Sequence, residues 1–273
     1  MENIVKKNYC PKKIESVYYN SISSGLANRL RAWMTTSAFA EYINIPYYLK
    51  WSEDDACGRI KFHDLFKIPN YINYVNNSTY FPEPTTFWIT INYPNNKFHD
   101  TYLQNKFNIT KDEFQIYVNN QKQFIAPVDK IQTQIDFYTK KLDIENTIGL
   151  HIRRTDFKEQ KQTSDGWFDY MIQKEISFNK NVKFFLATDN KWTQTKFISK
   201  YKNHMYTADV QFETRGLCEI YPGGHRRRHC STESALIDLF LLSKTKKVIG
   251  CRSSSFGRFG AWYGGKRFII QDK

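Results

Sequence analysis

Nowhere in this chain does an apolar run approach the roughly eighteen residues that a membrane-crossing helix needs. The opening "MENIVKKNYCPKK" lacks the apolar core of a signal peptide, so a cytoplasmic location without stable membrane insertion is expected. Cysteine is sparse. Cys10, Cys57, Cys218, Cys230 and Cys251 are odd in number and form no Cys-x-x-Cys pair, which argues against a disulfide framework and against a zinc site. No Asp-x-Asp occurs, which argues against metal-dependent glycosyl transfer. The P-loop pattern Gly-x-x-x-x-Gly-Lys-Ser/Thr and the dinucleotide fingerprint Gly-x-Gly-x-x-Gly are absent too. His225 and His229 lie four apart, but the Gly-Gly before them and the arginines between them fit a basic loop better than a metal site. No metal and no cofactor are expected. There is no internal repeat and no low-complexity tract.

What is present is a folded chain. Its 273 residues, 41% apolar, suffice for a real core and divide naturally into two domains of about 130 residues. The net charge of +13 favours anionic partners: nucleic acid, a membrane surface or a phosphorylated substrate. The lysines, however, are scattered in short clusters such as Lys6-Lys7, Lys12-Lys13 and Lys246-Lys247. That is the distribution of a solvated surface, and nucleic acid is not expected as a partner.

The first organised stretch is "ESVYYNSISSGLANRLRAWMTTSAFAEYINIPYYLKW". It reads as a strand at 17–19, a tight Ser-Ser-Gly turn at 23–25, a helix capped by Asn28 and running to about Tyr42, and a strand at 47–51. Leu30, Trp33, Met34 and Ser37 fall on one face of that helix. Strand, glycine turn, helix and strand make a βαβ unit. Residues 69–130 carry many Asn, Pro and aromatic residues with no sustained period; some of this reads as surface loop, and part could shape a substrate cleft. A helix is expected near 127–142. The second half then alternates: strand 148–152, helix from Ser164 or Asp165, strand 182–189, helix 192–201, a loop rich in Gly, Arg and His, helix "STESALIDLFLLS", strand "KVIGC", a triple-serine loop, a short helix and strand "RFIIQ". The fold class is α/β, with two Rossmann-like domains at 1–143 and 144–273 facing each other across a cleft.

Three constellations could carry chemistry. In "IGLHIRRTDF", an apolar strand runs into His151, Arg153 and Arg154, at the end where open α/β sheets bind ligands. Guanidinium forks match phosphate oxygens in pairs and keep their charge, so a diphosphate is the natural guest. Asp156 could hold one arginine; a plain ion-pair cluster ending a strand is the alternative. In "SSSFGRFGAWYGG", hydroxyl residues between strand and helix put N–H groups where an anion could sit, or simply cap the helix. In "ALIDLFLL", Asp238 stands in a helix that is apolar all round, and a carboxylate there needs a partner or a raised pKa. It could pair with an arginine inside the protein, or accept from guanine N1–H and N2–H₂.

Taken together, "HIRRTD", "FFLATDN", "ALIDLFLLS" and "SSSF" resemble in order and spacing the fucosyltransferases that use GDP-fucose. The likeness is to the α-1,6 and nodulation-type branch, with kinship to the protein O-fucosyltransferases. "SGLANRLRAWMTTSAFAEYI" and "CGRIKFHDLF" look like the N-terminal part of that superfamily, while the middle matches nothing. The resemblance implies a GT-B architecture whose C-terminal half holds the nucleotide sugar. By its motifs Arg153 and Arg154 would hold the diphosphate, and His151 and Asp238 the guanine. Ser254, Ser255 and Phe256 would add phosphate contacts, with Thr188 and Asp189 in the nucleotide-sugar motif. The family's Thr-Glu-x-x-Phe becomes "SDGWF" at a longer spacing, making Asp165 the candidate general base.

An inverting, metal-independent transfer of fucose to a hydroxyl of a glycan or glycoconjugate acceptor is therefore expected. Asp156, Asp54 and Asp55 are the other candidate bases. Gly25, Asn28 and Arg29 at the first βα turn could meet acceptor or phosphates, or serve only as turn and cap. Two rivals remain: transfer from another GDP- or UDP-sugar, and a non-catalytic nucleotide- or glycan-binding module.

Overall fold

The computed structural model describes residues 17–20, 24–54, 57–75, 109–155, 163–208 and 230–271. The chain separates into two compact units: Met1–Asp54 with Lys61–Ala126, and Asp55–Ile60 with Pro127–Lys273.

In the first unit three parallel strands, β1 (Val17–Asn20), β2 (Tyr47–Lys50) and β3 (Ile72–Val75), pair in the order β1-β2-β3. The expected βαβ unit is present, with α1 at Leu26–Ile43. Leu30, Trp33, Met34 and Ser37 are all buried, as the helical period requires. Asn28, however, is not the cap. Gly25 occupies that position with extended backbone, and Asn28 lies inside the first turn. Helix α1 ends where Asn44 takes the left-handed conformation that Asn tolerates and returns its N–H to the carbonyls of Ala40 and Glu41. The core is aromatic. Trp33 packs edge-on against Phe62 and Phe66, and Trp51 meets the same two rings. Phe62 opens the single-turn helix α2 (Phe62–Leu65).

Helix α3 (Lys111–Asn120) falls in the stretch where the sequence shows no sustained period. Its start is a full capping box. The Thr110 hydroxyl accepts from the Glu113 N–H at 3.2 Å, and Glu113 accepts in return from the Thr110 N–H at 2.9 Å.

The second unit is built on five parallel strands: β4 (Ile148–Ile152), β5 (Phe184–Thr188), β6 (Met205–Tyr206), β7 (Lys247–Gly250) and β8 (Arg267–Ile269). Their order is β6-β5-β4-β7-β8, so the winding reverses between β4 and β7. The helices are α4 (Asp129–Lys141), α5 (Asp165–Phe178), α6 (Lys191–Lys200), α7 (Thr232–Lys244) and α8 (Ser255–Tyr263). Alternation along β4 sorts them onto two faces. Ile148, Leu150 and Ile152 join Phe168 and Ile172 of α5 and Phe197 of α6 in one buried cluster. On the other face, a Cβ at Gly149 would lie 2.9 Å from Leu242 of α7, and His151 abuts α8. A parallel sheet covered on both faces explains why β4 and β5 are buried throughout.

Helix α4, which the sequence placed before the boundary at 143, packs on α7 and so belongs to the second unit. Residues 57–60 belong there as well. The Thr232 hydroxyl, at the start of α7, donates to the Cys57 carbonyl at 2.9 Å. Gly58 turns with φ +69°, and a Cβ on it would stand 2.7 Å from that same hydroxyl, so only glycine fits.

Cys57 and Cys251 are buried and Cys230 is half-buried. No helix among the described residues is long and apolar enough to cross a membrane. No three His, Cys, Asp or Glu side chains among them group to hold a metal ion.

Candidate functional site

In open α/β sheets ligands bind outside the carboxyl ends of the strands where the winding reverses. Here that point lies between β4 and β7, and two of the three candidate motifs leave from it: His151-Ile-Arg-Arg from β4 and the serine loop from β7. His151 pairs with Gly250 across the two strands. Its ring stacks on Phe256 with centroids 5.0 Å apart and planes at 27°.

Helix α8 fits against both neighbours through glycines three residues apart. A Cβ at Gly257 would lie 2.8–3.0 Å from three atoms of His151, and one at Gly260 would lie 3.3 Å from the Leu239 carbonyl of α7. The first of these sets the ring of His151. Gly257→Ala should therefore destabilise the protein by about 1–3 kcal/mol. A lowered urea midpoint at unchanged slope would register that loss.

The loop leaving β4 is held by buried acceptors. The Arg153 N–H reaches the sulfur of Cys251, at the exit of β7, at 3.3 Å. Asp189 receives the Arg154 N–H at 2.8 Å, the Thr155 N–H at 3.3 Å and the Thr155 hydroxyl at 2.6 Å. Arg153 Nε lies 3.9 Å from the same carboxylate. Asp189 thus holds the arginine loop, and Thr188 accepts from the Asn190 N–H to shape the turn into α6. The arginine side chains are largely buried, at 11% and 14% exposure.

Arg154 Nη1 donates to the Arg153 carbonyl at 2.9 Å, and Nη2 to Asp165 at 2.5 Å. Asp165 opens α5 behind the cap Ser164, whose hydroxyl accepts from the Trp167 N–H. Its second oxygen takes Lys196 Nζ of α6 at 2.6 Å. Burial works to raise the Asp165 pKa, but the hydrogen bonds and charges of Lys196 and Arg154 outweigh it, and the net shift is downward.

Asp238 sits on α7 with 4% exposure, and among the described residues its Oδ1 has no hydrogen-bond partner. Burial alone pushes its pKa well above the ordinary value. No internal arginine pair forms there among the described residues. Ser254 caps α8, its hydroxyl accepting from the Phe256 N–H at 3.4 Å, while Ser255 is half-buried in the first turn.

No protein-family model and no curated protein matches the chain. Solved structures do. NodZ α-1,6-fucosyltransferase co-crystallised with GDP is 17% identical over 91% of this chain and 92% of its own, with a TM-score of 0.55. POFUT1 in complex with GDP is 9% identical over 94% and 98%, with a TM-score of 0.53. Arabidopsis thaliana FUT1, a mutant in complex with GDP, is 14% identical over 97% and 72%, also at 0.53.

The chain has a fucosyltransferase fold. Mixed α/β architecture with parallel sheets is common to it and to these GT-B-like structures.

On that fold the N-terminal candidates have other occupations. Arg29 is fully buried and stacks 4.8 Å from the Trp51 ring. Its Nε donates to the Ser24 carbonyl at 2.6 Å, Nη1 to the Ser52 carbonyl at 2.5 Å and Nη2 to Asp54 at 2.6 Å. It ties the β1–α1 turn to the exit of β2. With Gly25 as the cap, the turn-and-cap alternative describes this corner. Asp54, committed to Arg29, is badly placed to act as a base. Asp55, Asp156 and the loop with His225 and His229 lie outside the described residues. The sequence reading missed Lys196, Thr155 and Cys251. Each lies more than thirty residues from the site partner that it serves, and only the folded sheet brings them together.

Proposed function

We propose that the chain is an inverting, metal-independent glycosyltransferase of GT-B architecture, moving L-fucose from GDP-fucose to a hydroxyl of a glycan acceptor. The observation that carries this is Asp238: a buried carboxylate whose Oδ1 has no hydrogen-bond partner among the described residues, on the helix that packs against both α8 and β5. Guanine N1–H and N2–H₂ are the donors such a group lacks. NodZ has been soaked with GDP-fucose and POFUT1 crystallised with GDP, which supports the same nucleotide here.

In this reading the second unit carries the sugar-nucleotide side and the first unit the acceptor side. The acceptor oxygen attacks the anomeric carbon opposite the nucleotide, the bond to the diphosphate oxygen breaks, and GDP leaves with that electron pair. Arg153, Arg154 and the N–H groups at the start of α8 stabilise the charge that develops.

Thermal unfolding with GDP, UDP, ADP and GDP-fucose, each with chelator and no added metal, tests the reading. GDP and GDP-fucose at a hundred times their dissociation constant should stabilise by about 2.7 kcal/mol, while UDP and ADP leave the transition in place. Slow hydrolysis of GDP-fucose without acceptor separates a transferase from a binding module. A UDP response would discard the guanine role of Asp238, and no response to any nucleotide would discard the reading.

A further inference from the structure

The family resemblance makes Asp165 the general base, but its surroundings fit a different task. Both carboxylate oxygens are engaged by cations, Arg154 at 2.5 Å and Lys196 at 2.6 Å. A base works best with a pKa near the operating pH, and two cations on one carboxylate move it the wrong way.

The other charges nearby form a second, separate pair. Asp169, one turn further along α5, takes Lys200 at 2.7 Å and the Tyr201 hydroxyl at 2.8 Å. Among the described residues Asp165 is the only carboxylate in an ion pair with Lys196, and Asp169 adds only its more distant charge. The Arg154 guanidinium, meanwhile, is fixed at two nitrogens, one by Asp165 and one by the Arg153 carbonyl, above a backbone N–H held by Asp189.

We propose that Asp165 and Lys196 are positioning residues: Lys196 orients the Asp165 carboxylate, and Asp165 holds the plane of Arg154 against the diphosphate of the nucleotide sugar. This rests on the proposed GDP-fucose reading. It places the acceptor's proton on some other acceptor and makes an exposed lysine of α6 part of nucleotide recognition.

The test compares Asp165→Asn, Asp165→Glu and Lys196→Met with wild type. Three quantities are read: affinity for GDP, affinity for guanosine, and the pH profile of GDP-fucose hydrolysis. Positioning predicts that Asp165→Asn and Lys196→Met each weaken GDP by about tenfold and leave guanosine unchanged. It also predicts that the double variant is no worse than either single one, since the two act as one unit. The pH profile keeps its shape, and Asp165→Glu recovers part of the loss.

A general base predicts the opposite pattern: Asp165→Asn loses about 10²–10⁴ in rate with GDP affinity intact, the acidic limb of the profile vanishes, and Lys196→Met is silent. That result overturns the proposal. Lys196 is more than half exposed, so its variant keeps the fold even if Asp165→Asn does not. A wild-type protein that binds no GDP would overturn the donor reading and this inference together. Wild-type GDP affinity retained in both variants would overturn this inference alone.

Discussion

Arg153→Ala is expected to slow turnover of GDP-fucose at least about a hundredfold and to abolish the thermal shift with GDP. The melting temperature without ligand should hardly move. Arg153 follows directly on β4 at the reversal of the sheet, where the proposed reading puts the leaving diphosphate. A preorganised donor in a site shielded from water is worth about 3 kcal/mol in the transition state.

The fold tolerates the change because Asp189, the acid beside Arg153, does not depend on it. Its carboxylate keeps both backbone N–H donors and the Thr155 hydroxyl. Removing Asp189 instead would release the whole loop and confuse binding with folding. Arg153→Lys keeps the charge but not the fork, and should recover only part of the rate. A variant that still shifts with GDP and turns over normally would place the diphosphate elsewhere.

The elements around this site were legible because they obey local rules. Strand 148–152, the helix opening at Asp165 behind Ser164, and the apolar helix bearing Asp238 lie where period and capping put them. Two short strands were not legible. β6 has two residues, and β3 is half-exposed within a stretch of mixed polarity. Helix α3 announced itself only through its capping box, since its apolar face is narrow, with Phe114 and Val118 alone buried.

The roles of side chains were harder still. Arg29 looks from the sequence like a cation beside a glycine turn, able to meet a ligand. Two of its three acceptors and its stacking on Trp51 come from the exit of β2, more than twenty residues on. Asp165 likewise looks like a base until Lys196, 31 residues away, is placed on it. Spacing along a chain identifies which residues sit at the end of a strand. It does not identify which of them are already satisfied.

Asp238→Asn is expected to make the protein more stable and less able to bind. In the unliganded chain this buried carboxyl, whose Oδ1 has no hydrogen-bond partner among the described residues, favours its protonated form, because burial raises the pKa from 3.8. The folded state then holds a proton that the unfolded chain has released. Stability is therefore fully present below the ordinary pKa and is lost as pH rises through the elevated one. Asparagine carries no charge to desolvate and should add about 1–3 kcal/mol at neutral pH, roughly 2–4 °C of melting temperature for each. The gain should vanish in acid.

Guanine is where the loss appears. A carboxylate accepts both N1–H and N2–H₂, whereas an amide accepts one and turns its own donor toward the other. At about 1.5–3 kcal/mol for each charge-assisted bond, GDP affinity should fall by at least about tenfold. GDP must also displace the proton, so below the elevated pKa binding to the wild-type protein should release protons that binding to the variant does not. Calorimetry in two buffers of different ionisation enthalpy reads that difference directly. Proton release that persists in Asp238→Asn would move the guanine contact to another acid.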